Sequence, residues 1–264
     1  MARAPLIRPT DAPPQAHARA TDRARTLDPG SGEAPARSEV PRHVAIIMDG
    51  NRRWARTRGV SELEGHAAGV EAIRGLLRHA VRRGIAVLTL YAFSRENWAR
   101  TDAEVAGLFA LLEDAIRSET AELRQQGVRV RLLGRVDELP PDTRRSIEAA
   151  LAATADGERL LLNIAFNYAG RTELVDAIRS IVRSERSAES IDESVVAAAL
   201  YTAGLPDPDL VIRTGGEQRL SNFLIWQSAY AELVSVETLW PEFGPSDLDA
   251  ALAEYASRTR RFGR

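Results

Sequence analysis

Residues 43–54 read HVAIIMDGNRRW, and this stretch decides the fold that the sequence predicts. The apolar run over residues 44–48 is short and ends in turn residues, which is typical of a buried strand in a parallel sheet covered on both faces. Asp49 follows at the carboxyl end of that strand, and Gly50 and Asn51 supply the turn. Ligands of open α/β sheets bind beyond the carboxyl ends of the strands, so a site is expected here.

Three more residues extend this candidate site, because Arg52, Arg53 and Trp54 follow the turn directly. A carboxylate beside two guanidinium groups and backbone N–H groups suits a metal ion together with an anionic substrate. The alternative is that Asp49 caps a helix and that both arginines are solvated. This stretch alone does not separate the two interpretations.

The composition narrows the classes of protein to which the chain can belong. Its 264 residues suffice for one large α/β domain, and a net charge of −2 gives no overall basic field for nucleic acid. Cysteine is absent, which excludes disulfides and thiolate metal sites. All 35 basic residues are arginine, so a Walker A loop, a Schiff base and a lysine general base are excluded. Phosphate must be bound by guanidinium and amide groups.

Two expectations concern location and domain organisation. No apolar run is long enough to span a bilayer, and the N-terminus lacks the apolar segment of a signal peptide, so a cytoplasmic protein is expected. Residues 1–40 are rich in proline, alanine and scattered charges without apolar periodicity, which predicts a disordered extension. Residues 41–264 are predicted to form the folded domain.

Strands and helices alternate along the folded part, which predicts an α/β fold: a single domain with a mostly parallel central sheet flanked by helices. Residues 56–63 are predicted as a mobile loop. Strands are predicted over residues 44–48, 85–93, 128–133, 160–167, 210–212 and 233–236, and helices over residues 65–83, 102–126, 142–154, 172–186, 192–203 and 246–257.

The helix over residues 102–126 carries a wide apolar stripe that includes Leu108, Phe109, Leu112 and Ile116. Packing into the core is the simpler expectation for such a face. It equally suits the wall of an apolar channel between the sheet and the helices, which would hold a hydrocarbon.

Two later strands also end in polar clusters. Residues 94–100 read SRENWAR, which suits either a site or a turn with a helix cap. Arg213, Arg219 and Ser221 surround a Gly-Gly pair, residues 215–216, whose missing side chains let backbone N–H groups approach an anion. Such a grouping is typical of a diphosphate site.

Two single residues have alternative interpretations. His66 lies in the first turn of a predicted helix and suits donation to a phosphate, although a surface histidine without a role is commoner. Glu232 precedes the last strand and is either a second metal ligand or an ion-pair partner.

Seven motifs appear in a fixed order from about Arg42 to the end of the chain. They are HVAIIMDGNRRWA, EGHAAG, LYAFSRENWAR with Glu104, LNIAFNYAGR, DLVIRTGGEQRLSNFLIWQ, YAEL and RTRRFG. With these motifs the sequence resembles the cis-prenyltransferases, the undecaprenyl diphosphate synthase family. The DDxxD motif of trans-type prenyl synthases is absent.

The resemblance implies addition of isopentenyl diphosphate to an allylic diphosphate, with a new cis double bond and loss of pyrophosphate, in a catalytic domain of residues 41–264. It makes Asp49 the catalytic acid that holds Mg²⁺ on the diphosphate. Glu232 corresponds to a Mg²⁺ ligand, which comes from the same chain or from the partner in a homodimer. Substrate-binding roles are implied for Gly50, Asn51, Arg52, Arg53, Trp54, His66, Arg213, Arg219, Leu220 and Ser221.

The resemblance also implies that the SRENWAR loop takes part in substrate placement and proton removal. Because an amide is a poor base, Asn97 is expected to orient a proton path rather than accept the proton. The hydrocarbon product implies a peripheral membrane contact during its release. Residues of this loop with implied roles are Ser94, Arg95, Glu96, Asn97, Trp98 and Arg100.

Glu62 departs from the family pattern, which usually has an arginine four residues before the histidine. An acid there predicts weaker binding of the allylic diphosphate, or a position that keeps Glu62 away from it. Arg52 stands where many bacterial members have glycine and others have arginine.

Product length depends on the residues that face the predicted channel. Ala92 is small and leaves room for a growing chain, which favours a long product of the lipid-carrier type. Phe109 could shorten the product, so a short-chain synthase is the alternative.

Two other functions compete with this interpretation. An apolar strand ending in Asp-Gly also suits a phosphatase of the haloacid dehalogenase type, but Asn51 stands where that class needs a second aspartate. A non-catalytic subunit of the same fold would lose the acid or the arginine cluster, whereas Asp49, Arg213 and Arg219 are all present.

Overall fold

The structure is a computed structural model, and it describes residues 40–258. The disordered extension predicted for residues 1–40 lies outside this range except for Val40. Most of the RTRRFG motif lies outside it as well.

Six strands form one sheet in which every neighbouring pair is parallel, in the order β3-β4-β2-β1-β5-β6. The prediction of a mostly parallel sheet is confirmed. The strands are β1 His43–Ile47, β2 Val87–Ser94, β3 Val128–Leu133, β4 Leu160–Tyr168, β5 Leu210–Thr214 and β6 Glu232–Val236.

Seven α-helices connect or follow the strands in the described part of the chain. All six helices predicted from the sequence are present, with ends that differ by a few residues. The helices are α1 Asn51–Arg58, α2 Glu62–Arg83, α3 Asp102–Gln125, α4 Pro141–Ala153, α5 Gly170–Arg183, α6 Glu193–Ala199 and α7 Pro245–Ser257. None of the helices found among residues 40–258 is long and apolar enough to cross a membrane.

The strand β1 is fully buried because its side chains pack on both faces of the sheet. Val44 and Ile46 belong to one apolar cluster, and Ala45 and Ile47 belong to another. This explains why the sequence shows a continuous apolar run there rather than an alternating pattern.

The position of β1 also creates the crevice where a site is expected. It lies between β2 and β5, with Ile47 level with Tyr91 on one side and with Arg213 on the other. The chain continues from β1 to β2 on one side and returns much later to β5 on the other. This is a topological switch point, where open α/β sheets bind their ligands.

The mobile loop predicted for residues 56–63 is wrong for most of its length. The helix α1 continues to Arg58 and ends at Gly59 in the left-handed conformation, with φ of 65°. Ser61 then caps α2, and its side chain and that of Glu64 form a capping box. Only residues 59–61 separate the two helices, so the rim of the crevice is helical.

Candidate active site

The main chain at Asp49 is fixed across the β1–β5 crevice. Its N–H donates to Thr214 Oγ1 at 2.9 Å, and the Thr214 hydroxyl donates to the Asp49 carbonyl oxygen at 2.6 Å. The Trp240 N–H donates to the same carbonyl at 3.0 Å. The carboxylate therefore projects from a backbone that has little freedom to move.

Two guanidinium groups contact this carboxylate. Arg213 Nη2 lies 2.8 Å from Asp49 Oδ2, and Arg53 Nη2 lies 3.5 Å from Asp49 Oδ1. The side chain of Arg213 is 5% exposed, whereas that of Asp49 is 29% exposed. The structure thus brings together two charges that are 164 residues apart, with one face of the carboxylate open to solvent.

The turn after β5 holds Arg213 in place. Its Nη1 donates to Ser221 Oγ at 2.7 Å and to the Arg219 carbonyl oxygen at 2.5 Å. Its buried Nε has no hydrogen-bond partner among residues 40–258. A buried donor without a partner carries a free-energy cost that a polar ligand could remove.

Glycine is required in this turn for steric reasons. Gly215 has φ of 81°, and a Cβ there would lie 2.2 Å from Arg53 Nη2. Instead, Arg53 Nη1 donates to the Gly215 carbonyl oxygen at 2.7 Å. The turn and the first helix are therefore joined directly beside Asp49.

A polar cleft of about 470 Å³ surrounds these groups. Six of its lining residues are arginines, against the two carboxylates of Asp49 and Glu217. The excess of positive charge suits a polyanionic ligand such as a diphosphate. The predicted site residues that line the cleft are Asp49, Gly50, Asn51, Arg52, Arg53, His66, Ser94, Asn97, Arg100, Arg213 and Arg219.

Hydrogen bonds fix which atoms of Asn97 and His66 can donate or accept in the cleft. The Ser94 N–H donates to Asn97 Oδ1 at 3.0 Å, so the Asn97 amide nitrogen is the group left for the cleft. Burial, aided by the nearby Arg100 charge, lowers the pKa of His66 to about 4. Arg100 Nη1 lies 3.3 Å from His66 Nε2, which makes Nε2 the acceptor and the ring neutral.

Four predicted residues lie outside the lining with other partners. Arg95 Nη1 donates to Glu138 Oε2 at 2.5 Å, and Trp98 Nε1 donates to Asn167 Oδ1 at 2.9 Å. Glu96 accepts from Asn222 Nδ2 at 2.7 Å, and Trp54 Nε1 donates to Glu242 at 3.2 Å. These contacts fix the loops that carry the cleft residues. Leu220 and Ser221 are also outside the lining, and Ser221 acts on the site through Arg213.

Glu232 lies at the amino ends of the parallel strands, whereas Asp49 follows the carboxyl end of β1. It pairs in register with Leu210, which is level with Val44 at the start of β1. Five residues of strand separate that level from Asp49, roughly 16 Å at about 3.3 Å per residue. Glu232 instead pairs with Arg258 at 3.0 Å. One chain cannot place both carboxylates on the same ion.

The sequence analysis missed three polar lining residues, Arg56, Tyr91 and Glu217. Arg56 follows Arg52 by four residues and shares its side of α1, which the predicted loop concealed. The side chain of Tyr91 is partly buried against Phe223, with ring centroids 4.6 Å apart. Tyr91 lies inside an apolar strand pattern, and nothing in that pattern indicates that its side chain faces a cleft.

An apolar cavity of about 190 Å³ adjoins the cleft, between α2, α3 and the sheet. The predicted channel is therefore present. The apolar face of α3 lines it through Leu108, Leu112 and Ile116. Phe109 is not part of this lining; it packs with Phe93, Trp98 and Phe166. Residues that line both the cleft and the cavity are Met48, Asn51, His66, Ala92 and Leu108.

The donor set of the cleft fits a divalent cation only together with a ligand. Among residues 40–258 no group of three or more His, Cys, Asp or Glu side chains could hold a metal ion by itself. Mg²⁺ is commonly bound by one or two carboxylates, water and substrate phosphates. The partly exposed Asp49 carboxylate in an arginine-rich cleft fits an ion that binds together with a diphosphate.

Comparisons with known proteins point to one family. A prenyltransferase family model described as undecaprenyl diphosphate synthase matches residues 47–263. An isoprenyl transferase of Heliobacterium mobile is 49% identical over 85% of this chain and 88% of its own length. One from Brucella suis is 50% identical over 84% of this chain and 89% of its own length.

Two solved structures are similar in fold. Lavandulyl diphosphate synthase from Lavandula x intermedia, crystallised with dimethylallyl diphosphate, matches with a TM-score of 0.83 and 38% identity, covering 86% of this chain and 99% of that one. A probable undecaprenyl diphosphate synthase from Campylobacter jejuni matches with a TM-score of 0.72 and 30% identity, covering 85% and 99%.

The chain belongs to the undecaprenyl diphosphate synthase family of cis-prenyltransferases. It is therefore a transferase of prenyl groups. The match leaves the phosphatase alternative without support.

Glu62, the unusual acid, does not line the cleft. Its Oε2 lies 2.8 Å from Arg52 Nε, and this contact lowers the pKa of the Glu62 carboxyl. Arg52 does line the cleft and is half exposed. Glu62 thus competes with any diphosphate for a guanidinium at the rim of the cleft.

We predict that Glu62→Gln and Glu62→Arg both lower the KM for an allylic diphosphate, because either change releases Arg52 and removes a negative charge. The effect is modest, roughly two- to fivefold, since an exposed ion pair contributes about 1 kcal/mol or less and is screened by salt. Steady-state kinetics at low and high ionic strength measure it. Asp114→Asn is the matched control, because Asp114 pairs with Arg117 at 3.2 Å on α3 and neither residue lines the cleft or the apolar cavity. An unchanged KM in both Glu62 variants would contradict the prediction.

Proposed function

We propose that this chain synthesises a long-chain (Z)-polyprenyl diphosphate from isopentenyl diphosphate and an allylic diphosphate, as in lipid-carrier biosynthesis. The carbon–oxygen bond to the allylic diphosphate breaks and pyrophosphate leaves. A new carbon–carbon bond forms to isopentenyl diphosphate, which loses a proton as the cis double bond forms.

The continuity of the polar cleft with the apolar cavity carries this proposal. An arginine-rich compartment binds headgroups, and an apolar compartment next to it takes a hydrocarbon, so the pair matches an amphiphile with a diphosphate at one end. The junction at Ala92 and Leu108 is where the headgroup and the chain of such a molecule meet.

Each wall of the cleft suits one diphosphate. The first helix offers Arg52 and Arg53 together with its N-terminal amides, which suits the allylic diphosphate. The turn after β5 offers Arg213 and Arg219, with Ser221 positioning Arg213, which suits isopentenyl diphosphate. Asp49 lies between the two walls, so its carboxylate would face the diphosphates bound on either side.

Asp49 is the residue that would hold Mg²⁺, with diphosphate oxygens completing the coordination. A bound divalent cation neutralises charge on a leaving pyrophosphate. The chain's own arginines add to this stabilisation and hold the diphosphates in place. The Asn97 amide nitrogen can donate to a diphosphate oxygen and so orient that diphosphate as the acceptor of the proton that isopentenyl diphosphate loses.

We predict that Asp49→Asn lowers the rate of prenyl transfer by roughly 10²- to 10³-fold, the usual range for removing one preorganised charge at a reacting centre. The assay measures incorporation of radiolabelled isopentenyl diphosphate with several allylic primers, with Mg²⁺ and with a chelator. The purified wild-type protein must be active alone, which also tests the non-catalytic-subunit alternative.

The fold of the variant must be intact for this test to count. The backbone hydrogen bonds of Asp49 to Thr214 do not involve the carboxylate, so the fold should be retained and the circular dichroism spectrum unchanged. The melting temperature should fall, because the nearly buried Arg213 loses its charge partner. Full activity of Asp49→Asn, or incorporation that does not depend on the primer, would sink the proposed function.

A further prediction concerns the length of the product. Ala92 is exposed to both compartments at the point where the growing chain enters the cavity. Ala92→Leu adds bulk there and should shorten the products, as measured by chromatography of the dephosphorylated lipids. Ala99→Leu is a control, since Ala99 is exposed outside both linings. Identical product lengths in wild type and Ala92→Leu would show that Ala92 does not influence product length.

The assembly that we propose is a homodimer formed through α5. Val175, Ile178 and Val182 are 44%, 57% and 70% exposed and recur at a spacing of three and four residues. They form one apolar stripe on a helix, which is costly to leave in water. In a dimer, Glu232 can reach a metal ion only at the site of the partner chain.

We predict that Ile178→Glu converts a dimer into a monomer, because a symmetric contact would place two added charges in one apolar interface. Light scattering after size-exclusion chromatography measures the mass. Val60→Glu is the matched control on an exposed apolar residue away from α5. A wild-type protein that is monomeric at micromolar concentration contradicts the proposal.

A further inference from the structure

The wall of the apolar cavity contains one charged pair. Among its lining residues, only Arg74 of α2 and Glu119 of α3 carry formal charges at neutral pH, because His66 is neutral. The remaining lining is almost entirely aliphatic or aromatic. The two side chains are partly exposed, 36% for Arg74 and 21% for Glu119, so they keep part of their hydration while the cavity is empty. Covering them with hydrocarbon would cost free energy.

The two residues form a paired contact across the gap between α2 and α3. Arg74 Nε donates to Glu119 Oε2 at 3.0 Å, and Arg74 Nη2 donates to Glu119 Oε1 at 2.5 Å. Arg74 also holds Glu71 at 2.9 Å on its own helix, and it lowers the pKa of Glu119. The geometry is the parallel fork that makes an arginine–carboxylate contact directional.

The pair lies well down the cavity from its mouth. Arg74 is eight residues beyond His66, about 12 Å along α2 at 1.5 Å per residue. Glu119 is eleven residues beyond Leu108, about 16 Å along α3. His66 and Leu108 line both compartments, so these distances measure depth from the junction.

The cavity is small for a long hydrocarbon. Its volume of about 190 Å³ is below the roughly 300–1,000 Å³ of typical small-molecule sites. A chain of many isoprene units fits only if the walls move apart. The wall between α2 and α3 is the one closed by side chains rather than by backbone hydrogen bonds, and it can open without breaking the sheet.

We propose that the Arg74–Glu119 pair is a length-determining latch, which holds α2 against α3 and limits how far a growing prenyl chain extends. Elongation past it must either part the two helices or cover the pair with hydrocarbon. Both penalise longer products, because the first breaks a bidentate contact and the second removes charged groups from water. The inference rests on the proposed function, since it requires a chain that grows into this cavity.

The experiment compares product lengths among variants of the pair. Arg74→Met, Glu119→Gln and the double variant should each shift the products toward longer chains, by at least one five-carbon unit in the mean. Because the residues act as a pair, the double variant should shift the mean no further than the larger single variant. Arg74→Lys keeps the charge but loses the fork, and should shift it less than Arg74→Met.

The neighbouring pair on the same two helices is the matched control. Arg78 Nε donates to Glu122 Oε1 at 2.8 Å, and neither residue lines the cavity. Arg78→Met and Glu122→Gln should leave product length unchanged. If they shift the products as much as the Arg74 and Glu119 variants, the effect is general loosening of the helices and the latch is wrong.

Other outcomes separate this inference from the proposed function. Unchanged product lengths in Glu119→Gln and Arg74→Met, with incorporation intact, overturn the latch and leave the prenyl transfer standing. Absence of incorporation in the wild-type protein overturns the proposed function itself. Circular dichroism and melting temperature establish that each variant is folded, and Glu119→Gln is nearly isosteric, so at least one variant remains informative.

Discussion

The contact between Asp49 and Arg213 is the interaction on which the rest of the site depends. It exists because β1 and β5 are parallel neighbours in a register that puts Ile47 beside Arg213. The carboxyl ends of two strands that are distant in sequence thereby meet at one edge of the sheet. Thr214 then closes the arrangement with two hydrogen bonds to the Asp49 main chain. A shift of one residue in this pairing would reverse the direction of every side chain on the strand.

This contact also sets the electrostatic balance of the cleft. Arg213 is nearly buried, and a buried charge is stable only with a partner, which Asp49 supplies. Arg52, Arg56 and Arg219 are exposed at the rim and stay hydrated until a ligand binds. The cleft is therefore neutralised at its base and positive at its mouth. Such a distribution attracts a polyanion without destabilising the ligand-free protein.

The sequence predicted the sheet, the helices and the base of the cleft because these follow from local patterns. A continuous apolar run followed by Asp-Gly indicated β1 and its end, and two arginines around Gly-Gly indicated the turn after β5. It did not predict α1, since Gly59 and a run of polar residues resemble a loop.

Side-chain direction was the second limit of the sequence. Trp98 and Arg95 have the same local context as Asn97, yet only the folded chain shows that Asn167 and Glu138 hold them outside the cleft. The position of Glu232 was also beyond sequence analysis. Only the strand register shows that it lies at the amino ends of the strands, away from Asp49. The Arg74–Glu119 contact joins two helices, and nothing in either helix alone indicates it.

The absence of lysine affects how the charge of the cleft depends on pH. Every cationic group lining the cleft is a guanidinium, which stays protonated throughout the range in which proteins are folded. His66, the one imidazole there, is already neutral. The positive charge of the cleft lining is therefore constant at pH values above the pKa of His66. In that range, a change of affinity with pH must come from groups other than these cations, and the phosphate oxygens of the ligand are one such group.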